Sequence, residues 1–209
     1  MGDRRVRKML RRMEGGQPLR IQAGTASVRK CARLAWYAEQ FGYEYVDLFG
    51  TGQGGYTLLL VPAGDPRALE RAWRNRARHP EAGRRGPLPP PAPEEVELLK
   101  ARMLFDLTRQ YGDRARVSIA VVGFTVLPWS VLLRTGPNPT AVAIVAAVWV
   151  VLMALIPVGL AYNRRSGARY AARLEAAGFT PQTDRNGRLR YVPPGGRLPG
   201  HPNPFTGGA

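Results

Sequence analysis

The sequence has one cysteine, Cys31, and two histidines, His79 and His201. A lone cysteine excludes an intramolecular disulfide, and two histidines so far apart give no zinc-ligand spacing. No G-x-S-x-G, H-E-x-x-H or P-loop motif occurs, and no histidine stands near a nucleophile motif. The carboxylates are scattered among arginines. These absences favour a non-enzymatic chain with no catalytic residues, cofactor or metal, although catalytic groups that meet only in space leave no such trace. Lysine stands only at 8, 30 and 100, so nearly all of the net charge of +16 is carried by arginine. That charge suits anionic lipid or nucleic acid. A GC-rich genome that favours arginine codons produces the same excess.

Charge is also missing from two long stretches, 117–133 and 141–161, which are separated by Thr-Gly-Pro-Asn-Pro-Thr at 135–140. A bilayer core of about 30 Å needs roughly 20 apolar helical residues. The second stretch spans about 31 Å as a helix and the first about 25 Å, with Arg134 able to snorkel from its end. Together they predict a transmembrane hairpin at 117–162. Their position past the middle of the chain excludes a cleaved signal peptide. Pro128 and Pro157 are tolerable in a bilayer bundle, where Ser118, Thr125 or Ser130 can satisfy freed carbonyls or bond across helices. Ala143, Ala146, Ala147 and Ala154 give the second helix a flank for close packing. Trp129 suits an interface, whereas Trp149 falls near the centre and fits poorly. No Asp, Glu, Lys or His lies inside either stretch, which argues against an ion path. Basic residues flank both outer ends: Lys100, Arg102, Arg109, Arg114 and Arg116 before, and Arg164, Arg165, Arg169 and Arg173 after. By the positive-inside rule both termini are cytoplasmic, in a two-pass protein of a bacterial cell membrane.

The remaining chain divides by pattern. Residues 1–16 read as a basic amphipathic helix. Val6, Met9, Leu10 and Met13 form its apolar face, and Arg4, Arg5, Arg7, Lys8, Arg11 and Arg12 its polar one. It suits a lipid surface, a frayed tail or the face of the following module. Residues 17–82 read as a small β-α-β-β-α module with strands at 19–23, 43–49 and 56–62. Its first helix is capped by Ser27 and ended by Gly42, and its second is opened by Asp65-Pro66. Leu69, Ala72 and Trp73 are expected to supply the core face of that second helix. Its arginines, Arg67, Arg71, Arg74, Arg76 and Arg78, make a basic surface. The glycine loop 50–55 lacks the Lys-Ser/Thr of a P-loop and leads into a strand, so it reads as a hairpin turn. The tyrosines Tyr37, Tyr43, Tyr45 and Tyr56 read as sheet filling rather than base-stacking platforms.

Residues 83–93 form a Pro-rich, semi-rigid linker. A juxtamembrane helix at 94–116 follows, with a stripe of Val96, Leu99, Met103, Leu107 and Tyr111 and a weak point at Gly112. After the hairpin, 163–193 reads as a helix and a β-hairpin turning at Asp184–Gly187, where Asn-Gly marks the turn. Its order loosely echoes the first module, with Tyr191-Val-Pro193 beside Leu60-Val-Pro62. The Gly/Pro-rich residues 194–209 read as a disordered tail.

The fold class expected is thus an α+β membrane protein: a cytosolic module, a two-helix membrane hairpin and a C-terminal helix with β-hairpin. The leading function is a scaffold or accessory subunit of a membrane assembly, with a cytosolic or membrane protein as partner. The alternatives are an oligomeric pore or translocation component that self-associates through the hairpin, and a DNA tether for plasmid transfer or segregation. The contact residues expected for anionic lipid or nucleic acid are Arg4, Arg5, Lys8, Arg11, Arg12, Arg71, Arg74 and Arg78.

Overall fold

The computed structural model describes residues 3–24, 27–50, 54–136, 138–184 and 186–194. Among these the chain is mixed α+β, with six helices and two small antiparallel sheets. It divides into two compact units, Met1–Leu107 with Tyr170–Ala209, and Thr108–Arg169.

The first unit begins with α1 (Asp3–Met13), followed by β1 (Leu19–Gln22), α2 (Val28–Gln40), β2 (Tyr43–Gly50), β3 (Tyr56–Pro62) and α3 (Pro66–Arg78). The module order is the β-α-β-β-α read from the sequence. Its sheet runs β1-β3-β2, which puts β2 at an edge. The central strand is the most apolar: Leu58 and Leu60 are fully buried in one core with Cys31, Ala35 and Tyr37 of α2. Each such leucine contributes roughly 2 kcal/mol by burial. The β2–β3 register slips at Val46, so that Tyr45 pairs with Leu60 and Asp47 with Leu59. This one-residue bulge keeps Tyr45 and Leu48, three positions apart, in the same core.

Several local expectations change in the fold. Ser27 occupies the cap position of α2, but its side chain makes no capping bond; Asp65, by contrast, accepts from the Arg67 N–H at 3.3 Å. In α3 the core face is Ala68 and Ala72, while Leu69 and Trp73 are exposed. Gly42 explains this: it has a φ of +91°, and a Cβ there would stand 3.1 Å from the Ala72 Cβ. That close approach leaves room for alanine only. In α1 the apolar face is already buried in the module core, so Val6, Met9, Leu10 and Met13 are not free to enter a bilayer.

The single helix expected at 94–116 is interrupted at 110–112. It forms α4 (Pro93–Arg109) and the start of α5 (Asp113–Thr135), with Gly112 capping α5 and Tyr111 exposed. Conversely, the second apolar stretch and the helix after it are one continuous helix, α6 (Pro139–Ala176). The chain after α6 turns at Gly178 (φ +81°) into β4 (Thr180–Thr183) and β5 (Leu189–Val192), an antiparallel pair. Asp184 shapes the turn by accepting from the N–H groups of Asn186 and Arg188. Most of the glycine loop (51–53) and the tail expected to be disordered (195–209) lie outside the described residues.

The second unit pairs α5 with most of α6. Trp149 Nε1 donates to Thr125 Oγ1 at 3.2 Å, and Arg164 meets Asp113 at 2.7 Å, so the two helices run antiparallel. The Thr125 contact satisfies the indole N–H of Trp149 between the two apolar helices. Thr125 and Ser130 themselves donate back to the carbonyls of Val121 and Leu127. Gly167 brings α6 within reach of Thr108, whose Oγ1 would lie 3.3 Å from a Cβ placed there. Both α5 and α6 are long and apolar enough to cross a membrane.

Candidate functional site

The residues singled out by charge fall on two helices of the first unit. Arg4, Arg5, Lys8, Arg11 and Arg12 are exposed along α1. Arg11 donates to the Gly83 carbonyl at 3.1 Å, and Arg7 to that of Arg84 at 2.8 Å, which ties the start of the linker to α1. Arg71, Arg74 and Arg78 converge with Arg67 on an open cleft of about 540 Å³ beside Gln40 and Asn75. None of the α1 cations lines that cleft. The cleft is held by packing at its base: the Asn75 amide donates to the carbonyl and side chain of Gln40, and Arg76 donates to the Phe41 carbonyl. Arg74 meets Glu70 at 3.6 Å, an exposed pair of little energetic weight.

A second set of charged groups is buried. Tyr45 of β2 donates its hydroxyl to Asp106 of α4 at 2.9 Å, and the Arg102 guanidinium lies over the Tyr45 ring at 5.1 Å. Burial pushes the Asp106 carboxyl up to about 6 against the attraction of Arg102 and Arg190. Burial, reinforced by Asp106 and Asp47, raises the Tyr45 phenol well above its usual range. On the other side of the bulge, Arg190 of β5 reaches Asp47 at 2.5 Å, Asp184 at 3.1 Å and the carbonyl of Val46. A bulged residue is left out of the ladder, and here its carbonyl takes an arginine instead. Arg188 lies 3.5 Å from Asp47 as well. Burial works against the Arg190 charge, but the Asp47 and Asp106 carboxylates more than offset it and raise its pKa. The same hairpin packs Tyr191 edge-on against Phe105 of α4 at 4.9 Å and donates its hydroxyl to Glu175.

Arg102 also lines a cavity of about 350 Å³ bounded by α2, β2, α3, α4 and the chain around β4 and β5. Glu39, Glu44 and Arg71 face the same space. Burial raises the Glu39 carboxyl to about 7, with Arg102, Arg71 and the Tyr45 N–H opposing. Burial and the nearby Asp65 also raise Glu44. Cys31 is buried and its thiol is pushed up to about 11, which makes it a packing residue rather than a nucleophile. Among the described residues no group of His, Cys, Asp and Glu is placed to hold a metal ion.

Arg102 and Asp106 were absent from the residues read as functional. They stand four apart, a spacing that puts them on one face of a helix off its apolar stripe, and the sequence reads Arg102 only as one of the basic residues flanking the hairpin. Arg190 carries no local signal at all. The chain matches no protein-family model, no curated protein and no solved structure.

Proposed function

We propose that the chain is a non-enzymatic integral membrane protein of the cell membrane, crossing it twice with both termini in the cytoplasm. It holds one folded cytosolic unit at the bilayer and docks a protein partner on α3, as a scaffold or accessory subunit of a membrane assembly does. The observation that carries this reading is the make-up of the first unit: chain from before and after the apolar hairpin folds into one body. One body cannot have halves on opposite faces of a bilayer, so the crossings between them must be even in number. Two apolar helices meet that condition.

The exposure of those helices supports the same reading. The apolar window of α6 has a mean hydropathy of 2.8 and none of it is buried, a surface that water disfavours and lipid accepts. Sidedness rests on the basic residues flanking both outer ends. The α3 surface supports docking because Trp73 is 74% exposed, Leu69 is half-exposed, and Arg67, Arg71, Arg74 and Arg78 share the helix. An aromatic anchor among cations fits a partner with an apolar pocket and an acidic rim.

The test is a photocrosslinking amino acid in place of Trp73 in the full-length protein within its own membrane. A discrete protein adduct is expected, and charge reversal at Arg67, Arg74 and Arg78 should remove it. Adducts only to lipid, to DNA or to a second copy of the chain would contradict the docking reading.

A further inference from the structure

The cavity beside Arg102 shares Arg71 and Gln40 with the α3 cleft but needs neither Trp73 nor a membrane, so its test is separate from that of docking. Arg102 is 7% exposed, yet its guanidinium makes no hydrogen bond or ion pair within 4 Å to a described residue; its close contact is the face of Tyr45. The carboxylates nearby already have donors. Glu95 accepts from Trp36 Nε1 at 2.5 Å, and Asp106 from the Tyr45 hydroxyl. Glu39 accepts from the Tyr45 N–H, and Glu44 from the N–H groups of Gly64 and Asp65. None of the Arg102 nitrogens is both sealed from solvent and unpaired, so the guanidinium opens on the cavity it lines. The cavity therefore presents a guanidinium with no protein acceptor, while each carboxylate lining it, Asp65 included, already accepts at least one hydrogen bond.

We propose that this cavity binds a small carboxylate with an apolar body, its carboxylate seated on the Arg102 guanidinium. The planar guanidinium fork matches a carboxylate with two parallel hydrogen bonds. Leu98, Leu99, Phe179, Pro193 and Pro194 supply an apolar wall, and Arg71 adds a second cation at the exposed rim. The volume of about 350 Å³ is at the small end for ligand sites, which limits the ligand to a compact molecule. An ammonium ligand would have to compete for carboxylates that are already hydrogen-bonded. Glu39 faces the same space, with Arg102 and Glu95 of α4, Arg71 of α3, Asp65 at the start of α3 and Glu44 of β2 around it. Its ionisation near neutral pH sets a negative charge against the bound anion, so affinity falls as pH rises.

The experiment is calorimetric titration of the full-length protein in lipid nanodiscs with phenylacetate and with hexanoate, at pH 6 and pH 8.5. Saturable binding of at least one acid is expected, about tenfold weaker for the matched neutral amide, since a charge-assisted pair is lost. It should weaken at the higher pH and be abolished by Arg102→Gln. Because Arg102→Gln removes a buried charge and can unfold the unit, two further variants guard the test. Arg71→Gln at the rim should weaken binding several-fold, and Leu98→Trp should fill the cavity and abolish it. No saturable binding of either acid, equal binding of acid and amide, tighter binding of inorganic phosphate, or binding undisturbed by Arg71→Gln and Leu98→Trp would overturn the proposal.

Discussion

Arg190 Nη2 lies 2.5 Å from the Asp47 carboxylate, across 143 residues of sequence. The contact joins β5 to β2, an edge strand of the first sheet, and both side chains are nearly fully buried. Removing one member of a buried ion pair strands the other charge and typically costs about 3–5 kcal/mol. Arg190→Ala should therefore lower the stability of the first unit by about 3 kcal/mol. The double variant Asp47→Asn with Arg190→Met should lose less than Arg190→Ala alone, since neither charge is stranded. Denaturant unfolding of the detergent-solubilised protein measures both, and an unchanged midpoint for Arg190→Ala would remove the pair from the account.

Glu39 and Asp106 contribute to the pH dependence of the same unit. Glu39 is raised from 4.5 to about 7 and Asp106 from 3.8 to about 6, in both cases first by burial. In the unfolded chain each ionises at its ordinary value and releases its proton earlier. Their contribution is thus fully present below about pH 4 and is lost as pH rises through about 6 to 7. Asp184 works the other way: burial alone would raise it, but the N–H groups of Arg188 and Asn186 hold it low. Its contribution is present above about pH 4 and fades as pH falls below that. Glu39→Gln should flatten the decline between pH 4.5 and 7 in a series of melting temperatures. A slope identical to the parent's would show that Glu39 ionises freely.

What was legible in the sequence was local. The three strands of the first sheet, the Asp65 cap and the end of α2 at Gly42 all rest on residues within a turn of each other. The two apolar helices were legible because an uncharged run needs no partner to be seen. What was not legible depended on neighbours distant in sequence. Leu69 and Trp73 follow a core periodicity, but Ala68 and Ala72 are the buried pair, and Gly42 comes too close to Ala72 for a larger side chain there. Arg102 and Asp106 look like a solvated face of α4 until Tyr45 is placed against them. Nothing near Arg190 announces Asp47, and nothing in the spacing of α1 says which surface covers Val6 and Met9. The joining of the C-terminal hairpin to the first unit is a relation of the same kind.

The α2–α3 contact makes opposite demands on adjacent positions of one helix. Ala72→Leu or Gly42→Ala should destabilise by about 1–3 kcal/mol, the first by overpacking and the second by backbone strain at positive φ. Leu69→Gln and Trp73→Gln should stay within about 0.5 kcal/mol of the parent, as exposed substitutions do. If Trp73→Gln unfolded the unit as Ala72→Leu does, Trp73 would belong to the core and not to a docking surface.

Trp149 and Thr125 hold the middle of the hairpin. An interhelical hydrogen bond in a membrane is worth about 0.6 kcal/mol on average, so Thr125→Val should cost roughly that much. Trp149→Phe should cost a similar amount, and the two together no more than either alone if the bond is what both remove. Detergent or steric-trap unfolding of the hairpin gives the comparison, and additive losses would mean that the two side chains act independently.

The central claim is that lipid surrounds α5 and α6 and that both outer ends face the cytoplasm. Single cysteines introduced by Asn138→Cys, between the two helices, and by Arg85→Cys and Arg173→Cys, on either side of the hairpin, test it in a Cys31→Ser background. A membrane-impermeant maleimide applied to intact cells should label position 138, and should reach 85 and 173 only after the cells are broken. Labelling of 85 or 173 in intact cells would reverse the sidedness, and recovery of the protein in the soluble fraction without detergent would contradict the anchor itself.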